Sequence, residues 1–416
     1  LHIPQLIVMR EPVPDRVAQE FLKYFLAAYS QGNSLYLAVR EARLRLQGLE
    51  GQFPCATWLP VICQHPTELP PTWQDLLGEP PLSPSTHAVK QPWFQHVRPK
   101  LSWVVAAGLV ATGLVSGVRF LGWLQPLELQ AYDRLLQVRP KEPKDNRLLV
   151  IEVTDQDVAE QTRQDPQKPA DVSLSSRFLQ QLLLKLQPLQ PRVIGLDIYR
   201  DYPTGAEFSA LQAALKQSDR LIVPCKMGNP NSSDMGVKPP PELNRDQVLY
   251  RLGFTNLISD QNDIIRRQLL AMDPSTVCPA DYSLSALLSV HYLAAQNIAL
   301  ELNPDGSWKL GNTVIKPISF PTGGYFKVDG RGHQMLLNYR SPQNASSFHT
   351  PEDAVPRISL GAALSGGLTT ENVKDRIVLI GTTAREFKDY HLTPYRNEQG
   401  APLEIPGVML HAQMVS

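Results

Sequence analysis

Hydrophobic positions along this chain fall into helical stripes and short buried runs, with one longer apolar run between them. That longer run, 101–124, reads LSWVVAAGLVATGLVSGVRFLGWL and carries no charge until Arg119. About 20 mostly apolar residues are enough to cross a bilayer as a helix. The Gly, Ala, Ser and Thr of the run suit close helix contacts. Trp103, Phe120 and Trp123 stand near its ends, where aromatic rings favour the headgroup boundary. The pattern predicts a transmembrane helix, with Arg119 snorkelling to the phosphates. A buried core helix is the competing reading, but such helices seldom run so far without a polar face.

Before that run, Ile3–Val8 has the texture of a buried strand. Val17, Phe21, Tyr24, Phe25 and Ala28 fall at helical spacing behind Pro14-Asp15. Gln31-Gly32-Asn33-Ser34 breaks the pattern, and Ser34 can cap a second helix over Leu35–Leu46. Ala56–Ile62 reads as a closing strand. His65 to Lys100 holds eight prolines and reads as an extended linker with one helical turn at Trp73–Leu77. His87 and His96 in it lie too far from any partner to suggest a metal site.

Beyond the run, Leu127, Tyr132, Leu135 and Leu136 form an apolar stripe continuing from the bilayer. Leu148–Val153, Val193–Leu196, Leu221–Pro224 and Arg376–Ile380 read as buried strands. Helices over Ser173–Leu186 and Phe208–Leu215 alternate with them, which argues for a parallel sheet with right-handed crossovers. Ser283–Ala295 reads as an apolar helix. Between Ile298 and Tyr339 the turn signals Pro304-Asp305-Gly306, Gly311-Asn312 and Asp329-Gly330 predict antiparallel hairpins. The expected fold class is α/β: a parallel-sheet domain with an antiparallel hairpin insertion, preceded by a transmembrane helix and a partial α/β unit.

Composition narrows this little. The chain has 416 residues, 43% hydrophobic and 19% charged, with 40 basic and 40 acidic side chains. A formal charge of +0 gives no electrostatic footprint for nucleic acid. Four cysteines are not a disulfide framework. Cys55 and Cys63 read as small core residues of the closing strand. For Cys225 and Cys278 an oxidising compartment permits a bond, but sequence does not bring them together, and buried free thiols are the favoured reading. The chain begins at Leu1 and stops at Ser416 in an apolar helix-like stretch, so it reads as a fragment cut at both ends.

Two groups of signatures carry resemblances. Ile7-Val8-Met9-Arg10-Glu11-Pro12-Val13-Pro14-Asp15, Gly32-Asn33-Ser34-Leu35, Ala38-Val39-Arg40 and Trp58-Leu59-Pro60-Val61 resemble the C-terminal part of a CHAT domain. That family comprises caspase-like modules, often joined to tetratricopeptide repeats in cyanobacteria. The resemblance implies that the His–Cys catalytic pair lies upstream of Leu1, so the chain is not expected to be an enzyme. The second group is Leu127-Glu128-Leu129 with Tyr132-Asp133, Val153-Thr154-Asp155, Val193 to Asp197, Gly253-Phe254, Asp263 to Arg267, Ile380 to Thr383, and Pro406-Gly407-Val408 with His411-Ala412. These are similar to a CHASE-type sensory domain of the second family of that name. Asp263 is followed by Ile264 where a glycine turn is expected. The resemblances imply a CHAT-like tail at 1–65, a linker at 66–100, the transmembrane helix at 101–124 and a sensor domain at 125–416. They also imply that residues 1–100 are cytoplasmic and 125–416 extracytoplasmic.

Ligands of open α/β sheets bind beyond the carboxyl ends of the strands. Thr154, Asp155 and Asp157 follow one predicted strand, Asp197 and Arg200 a second, Lys226 a third, and Thr382 and Thr383 a fourth. This set suits a small polar or environmental ligand, while each residue alone better suits a helix cap or loop tie. Asp155, Asp197, Asp389 and His391 raise the alternative of metal-assisted hydrolysis, without a spacing that supports it. Asp260-Gln261-Asn262-Asp263 reads as a turn, since Ile264 stands where a calcium loop wants an oxygen. The expected activity is membrane-anchored sensing of a ligand, with the bilayer and that ligand as partners, no cofactor, no metal and no nucleic acid. The alternatives are an extracytoplasmic hydrolase and a non-enzymatic membrane scaffold. A homo-oligomer is left open.

Overall fold

The computed structural model describes residues 5–11, 13–53, 56–64, 70–77, 101–140, 142–166, 169, 171–229, 233–320, 322–326, 328–340, 354–397 and 399–416, with the side chains of 5, 64, 101–107 and 261 left aside. The chain divides into two units, Leu1–Lys100 and Leu101–Ser416.

In the first unit, β1 (Gln5–Met9) leads to α1 (Asp15–Ser30) and α2 (Leu35–Arg45), then β2 (Pro60–Gln64) and a single turn, α3 (Trp73–Leu77). The two strands pair antiparallel, with Met9 opposite Pro60. Val17, Phe21, Phe25 and Ala28 of α1 pack with Ala38, Val39 and Ala42 of α2. The left-handed φ of 88° at Gly32 makes the break between the helices, and Ser34 caps α2 by accepting from the Leu37 N–H at 3.4 Å. Cys63 departs from the expected core position. It lies opposite Leu6 on the outward face of the hairpin and is exposed. Cys55, His87, His96 and most of the proline linker fall outside the described residues.

The second unit opens with α4 (Leu101–Phe120) and α5 (Gln125–Gln137). The helix stops short of Leu124 because Gly122 turns left-handed at φ 79°. Among the described residues no helix is long and apolar enough to cross a membrane. The side chains of α4 are described only from Gly108 onward, and there Leu109, Val110, Leu114 and Val115 are exposed. The Arg119 guanidinium pairs with Glu128 at 3.1 Å and donates to the Gly323 carbonyl at 2.6 Å. The stripe expected on α5 also shifts. Leu127 and Leu135 are exposed, and the buried face is Gln125, Leu129, Asp133 and Leu136. Polar partners account for this, since Gln125 accepts from the Phe326 N–H and Asp133 meets Arg266.

The chain continues through β3 (Leu148–Val153), α6 (Asp155–Gln164), α7 (Ser176–Leu186), β4 (Val193–Asp197), α8 (Ser209–Gln217), β5 (Leu221–Cys225), α9 (Val248–Arg251) and β6 (Leu252–Phe254). Next come β7 (Arg267–Ala271), α10 (Leu284–Ala294), β8 (Leu300–Leu302), β9 (Trp308–Leu310), β10 (Thr313–Ile315) and β11 (His333–Leu336). Last are β12 (Arg357–Ser359), α11 (Leu360–Ala362), α12 (Thr370–Val373), β13 (Ile377–Thr382), β14 (Tyr390–Arg396), β15 (Pro402–Pro406) and α13 (Gly407–Val415).

Six strands form one parallel sheet in the order β12-β3-β13-β4-β5-β6. Both faces are covered, as a parallel sheet requires. Leu149, Ile151 and Val153 of β3 face α7 and α8, while Leu148 and Val150 face α10 and α13. The hairpin insertion is present as the antiparallel meander β8-β9-β10, turned by Gly306 and Gly311 at positive φ. Two smaller antiparallel pairs, β7 with β11 and β14 with β15, complete the unit. The turn at Asp260 is made without glycine: Asn262 and Asp263 both take left-handed φ, 67° and 58°. Cys225 and Cys278 are joined as a disulfide, with Cα atoms 5.4 Å apart. The free-thiol reading is thereby corrected, because the loop before α10 folds back against the end of β5.

Candidate functional site

Parallel strands all deliver their carboxyl ends to one edge, and there the loops leave a cleft of about 900 Å³. Asp197 ends β4 at its floor, Thr382 ends β13 beside it, and Lys226 follows β5. Opposite them, Asp389 and His391 come from β14 and its approach, and His411 comes from α13. Helix α13 reaches the sheet because Gly381 and Gly407 leave room for it. A Cβ on Gly381 would stand 2.5 Å from Val408, and one on Gly407 would stand 2.4 Å from the Asp389 carboxylate. The Gly407 N–H also donates to the Asp389 carbonyl at 3.0 Å, which ties the helix start to the strand.

Electrostatics at the floor is unusual. The Asp197 side chain is 9% exposed and its Oδ2 has no hydrogen-bond partner. Burial first, and the negative charge of Asp389 second, hold its carboxyl well above the usual carboxylate range. His411 Nε2 lies 3.7 Å from Asp197 Oδ1, and its Nδ1 is buried without a partner. Burial lowers this imidazole to about 4, with Asp389 opposing the shift and His391 adding to it. His391 Nε2 and Asp389 Oδ1 stand 2.9 Å apart. Tyr199 and Thr255 share a 2.5 Å hydrogen bond at one wall, and burial pushes the Tyr199 phenol up. Carboxylates predominate in the lining: Asp171, Asp197, Asp234, Asp263, Asp389 and Glu404 against Lys226 and Lys388. Lys226 is held by Asp234 at 2.6 Å.

The residues singled out from sequence divide between this cleft and the scaffold around it. Asp197, Lys226 and Thr382 line the cleft. Thr154 and Asp157 form a reciprocal cap on α6, and Asp157 also accepts from the Gly361 N–H at 2.7 Å. Asp155 accepts from the Arg385 N–H at 3.0 Å, binding two loops together. Arg200 is 1% exposed, donates to Ser176 Oγ at 2.6 Å and lies over the Tyr202 ring. Thr383 joins the loops through its backbone: its N–H donates to Val153, and its carbonyl accepts from the Tyr390 hydroxyl. In the carboxylate–histidine set raised for metal-assisted hydrolysis, Asp155 is therefore apart from Asp197, Asp389 and His391. Among the described residues no group of three or more His, Cys, Asp or Glu side chains is arranged to hold a metal ion.

Sequence reasoning did not place His411, Tyr199 or Thr255 in the site. The available signal was Pro406-Gly407 four residues before His411, a pair that allows a helix to start hard against a strand.

Residues 3–75 match the profile of the CHAT domain. No curated protein and no solved structure matches the chain. The CHASE2 domain profile matches residues 110–416, well over half of the chain, which therefore belongs to the CHASE2 domain family.

Proposed function

We propose that residues 125–416 sense a small polar ligand in the cleft at the carboxyl edge of the sheet, and that this state is coupled to the CHAT module. The observation that carries the reading is Asp197: a buried carboxyl with an unpartnered oxygen at the floor of a cleft large enough for a metabolite. Buried polar atoms are normally satisfied, and a bound ligand would satisfy this one.

In this reading α4 is a membrane anchor, residues 1–100 are cytoplasmic and residues 125–416 extracytoplasmic. The exposed apolar face of α4 from Leu109 to Val115 supports the anchor. The Cys225–Cys278 disulfide supports an oxidising side for the sensor, and the free, exposed Cys63 suits a reducing side for the CHAT unit. The CHAT match at residues 3–75 supports a caspase-like signalling module, and the activity proposed for this chain is signalling rather than catalysis.

A thermal-shift screen of the purified chain against metabolite pools tests the reading, because ligand that binds only the folded state raises the melting temperature with saturation. No shift with any pool would remove its main support. Protease added to intact cells tests the topology: digestion of 125–416 with the proline linker spared is expected, and the reverse pattern would invert it.

A further inference from the structure

We propose that the cleft recognises a small organic ammonium, a primary or secondary amine on a short carbon chain, with Asp197 and Asp389 as its carboxylate partners. This rests on the ligand-sensing reading and names the chemistry of that site.

Asp197 and Asp389 both line the cleft and feel each other's charge, with His411 3.7 Å from the first and His391 2.9 Å from the second. The charge acting on Asp197 is that of another carboxylate, and among the described residues no lysine or arginine pairs with it. Of the two cleft lysines, Lys226 is taken by Asp234 and Lys388 stands exposed in a left-handed turn. A cation is therefore the missing component of the site. Burying a carboxylate without one is costly, and an ammonium would supply three donors as well as the charge. Asp197 lines the cleft with a side chain nine-tenths buried, and its Oδ2 has no hydrogen-bond partner. The unpartnered Nδ1 of His411, whose ring burial keeps neutral, adds an acceptor when it carries no proton.

An organic cation fits better than a metal ion. The cleft, about 900 Å³, is far larger than an ion needs, and Ile198, Leu257, Ile265, Phe387 and Leu392 line it with apolar surface for a carbon chain. Burial and Asp389 raise the Asp197 carboxyl, and an ammonium beside it would favour the ionised form, so binding should tighten as pH rises.

Titration calorimetry on the 416-residue chain tests this with 1,4-diaminobutane and n-butylamine as probes, and 1,4-butanediol, succinate, Mg²⁺ and Zn²⁺ as controls. The amines are expected to saturate one site, and repeating the titration in buffers of different ionisation heat should show proton release. Asp197→Asn should weaken amine binding roughly ten- to a hundredfold, the range for one lost hydrogen bond to a charged group. Asp389→Asn should weaken it in the same direction, and serves as the second variant where Asp197→Asn does not fold. The diol or succinate binding as tightly as the amines would overturn the inference while leaving the sensor reading intact. Amine binding that both variants leave unchanged would also overturn it, as would either metal ion alone displacing the amines. Absence of amine binding together with a silent metabolite screen would bring down both.

Discussion

Asp133 on α5 and Arg266 at the entrance to β7 meet as a two-pronged pair, Nε to Oδ1 at 2.7 Å and Nη2 to Oδ2 at 2.8 Å, with both side chains almost wholly buried. Arg266 also reaches Asp260 at 3.3 Å, and Asp260 is gripped by Arg267 and by the Tyr325 hydroxyl. Two arginines are thus balanced by two aspartates in a closed network. Asp263 and Ile265, the residues just before Arg266, line the cleft. Helix α5 follows α4 after one turn. On the sensor reading, this pair is one route by which a ligand pressing on 263–265 acts on the segment leaving α4.

Removing one side of that pair should be severe. Asp133→Asn leaves the Arg266 guanidinium buried with half of its charge balance gone, and breaking a buried pair costs about 3–5 kcal/mol. Asp329→Asn is the control, because Asp329 and Arg331 form an exposed pair whose worth is screened by water. Urea denaturation should show a large drop in midpoint for the first and no measurable change for the second. Equal midpoints for the two variants would refute the buried-network account.

The strands β3, β4, β5 and β13 were legible because each is a continuous apolar run, the signature of a strand covered on both faces. Edge strands β6 and β12 were not, being three residues long and carrying no period of their own. Of the apolar stripe read on α5, Leu136 is buried but Leu127 and Leu135 are exposed, because Gln125 and Asp133 dock the helix through polar pairs beside Leu129 and Leu136. The cleft was half legible. Asp197, Lys226 and Thr382 follow strands, and strand ends are visible in sequence. His411 joins Asp197 across more than two hundred residues, and only the close approach of α13 to β13 at Gly381 makes them neighbours.

Stability should respond to pH in opposite senses through the two floor residues. His411 is lowered to about 4 in the fold, so between its ordinary value near 6.5 and 4 the unfolded chain binds a proton that the folded chain does not. This contribution is present above pH 6.5 and is lost as pH falls through that window. Asp197 is raised, so the folded chain keeps a proton that the unfolded carboxyl releases above about pH 4. Its contribution is lost as pH rises. The two slopes oppose each other in the native chain, with Asp389 facing both groups and His391 facing His411. Asp197→Asn should therefore melt lower as pH drops from 7 to 4.5, and His411→Gln should melt higher over the same range. Parallel melting curves for the two variants would contradict the assignment.

The disulfide between Cys225 and Cys278 spans 53 residues. Closing a loop of that size removes enough freedom from the unfolded chain to stabilise the fold by about 4 kcal/mol. Replacing both cysteines with alanine should lower the melting temperature, and reductant should do the same to the native chain only. A reductant effect on the double variant would point instead to Cys55 or Cys63.

Gly253 makes an exacting demand on packing. A Cβ there would lie 2.5 Å from the Leu284 Cα and 2.7 Å from the Leu284 nitrogen, backbone atoms at the start of α10 that cannot rotate away. The helix would have to lift from β6, taking Leu284, Leu287 and Leu288 out of the core they share with β3 and β13. Overpacking of this kind costs about 1–3 kcal/mol, and Gly253→Ala belongs at the upper end of that range. Gly306→Ala provides the contrast: nothing lies within 4 Å of its Cβ, and the strain there comes from its φ of 78°, which costs about 1 kcal/mol. The two should also differ in function. Phe254 separates Gly253 from Thr255, whose hydroxyl holds Tyr199 at the cleft wall. Gly253→Ala should therefore weaken ligand binding along with stability, while Gly306→Ala, in the meander, should leave binding unchanged. Equal binding by both variants would mean that the β6 edge does not set the shape of the cleft.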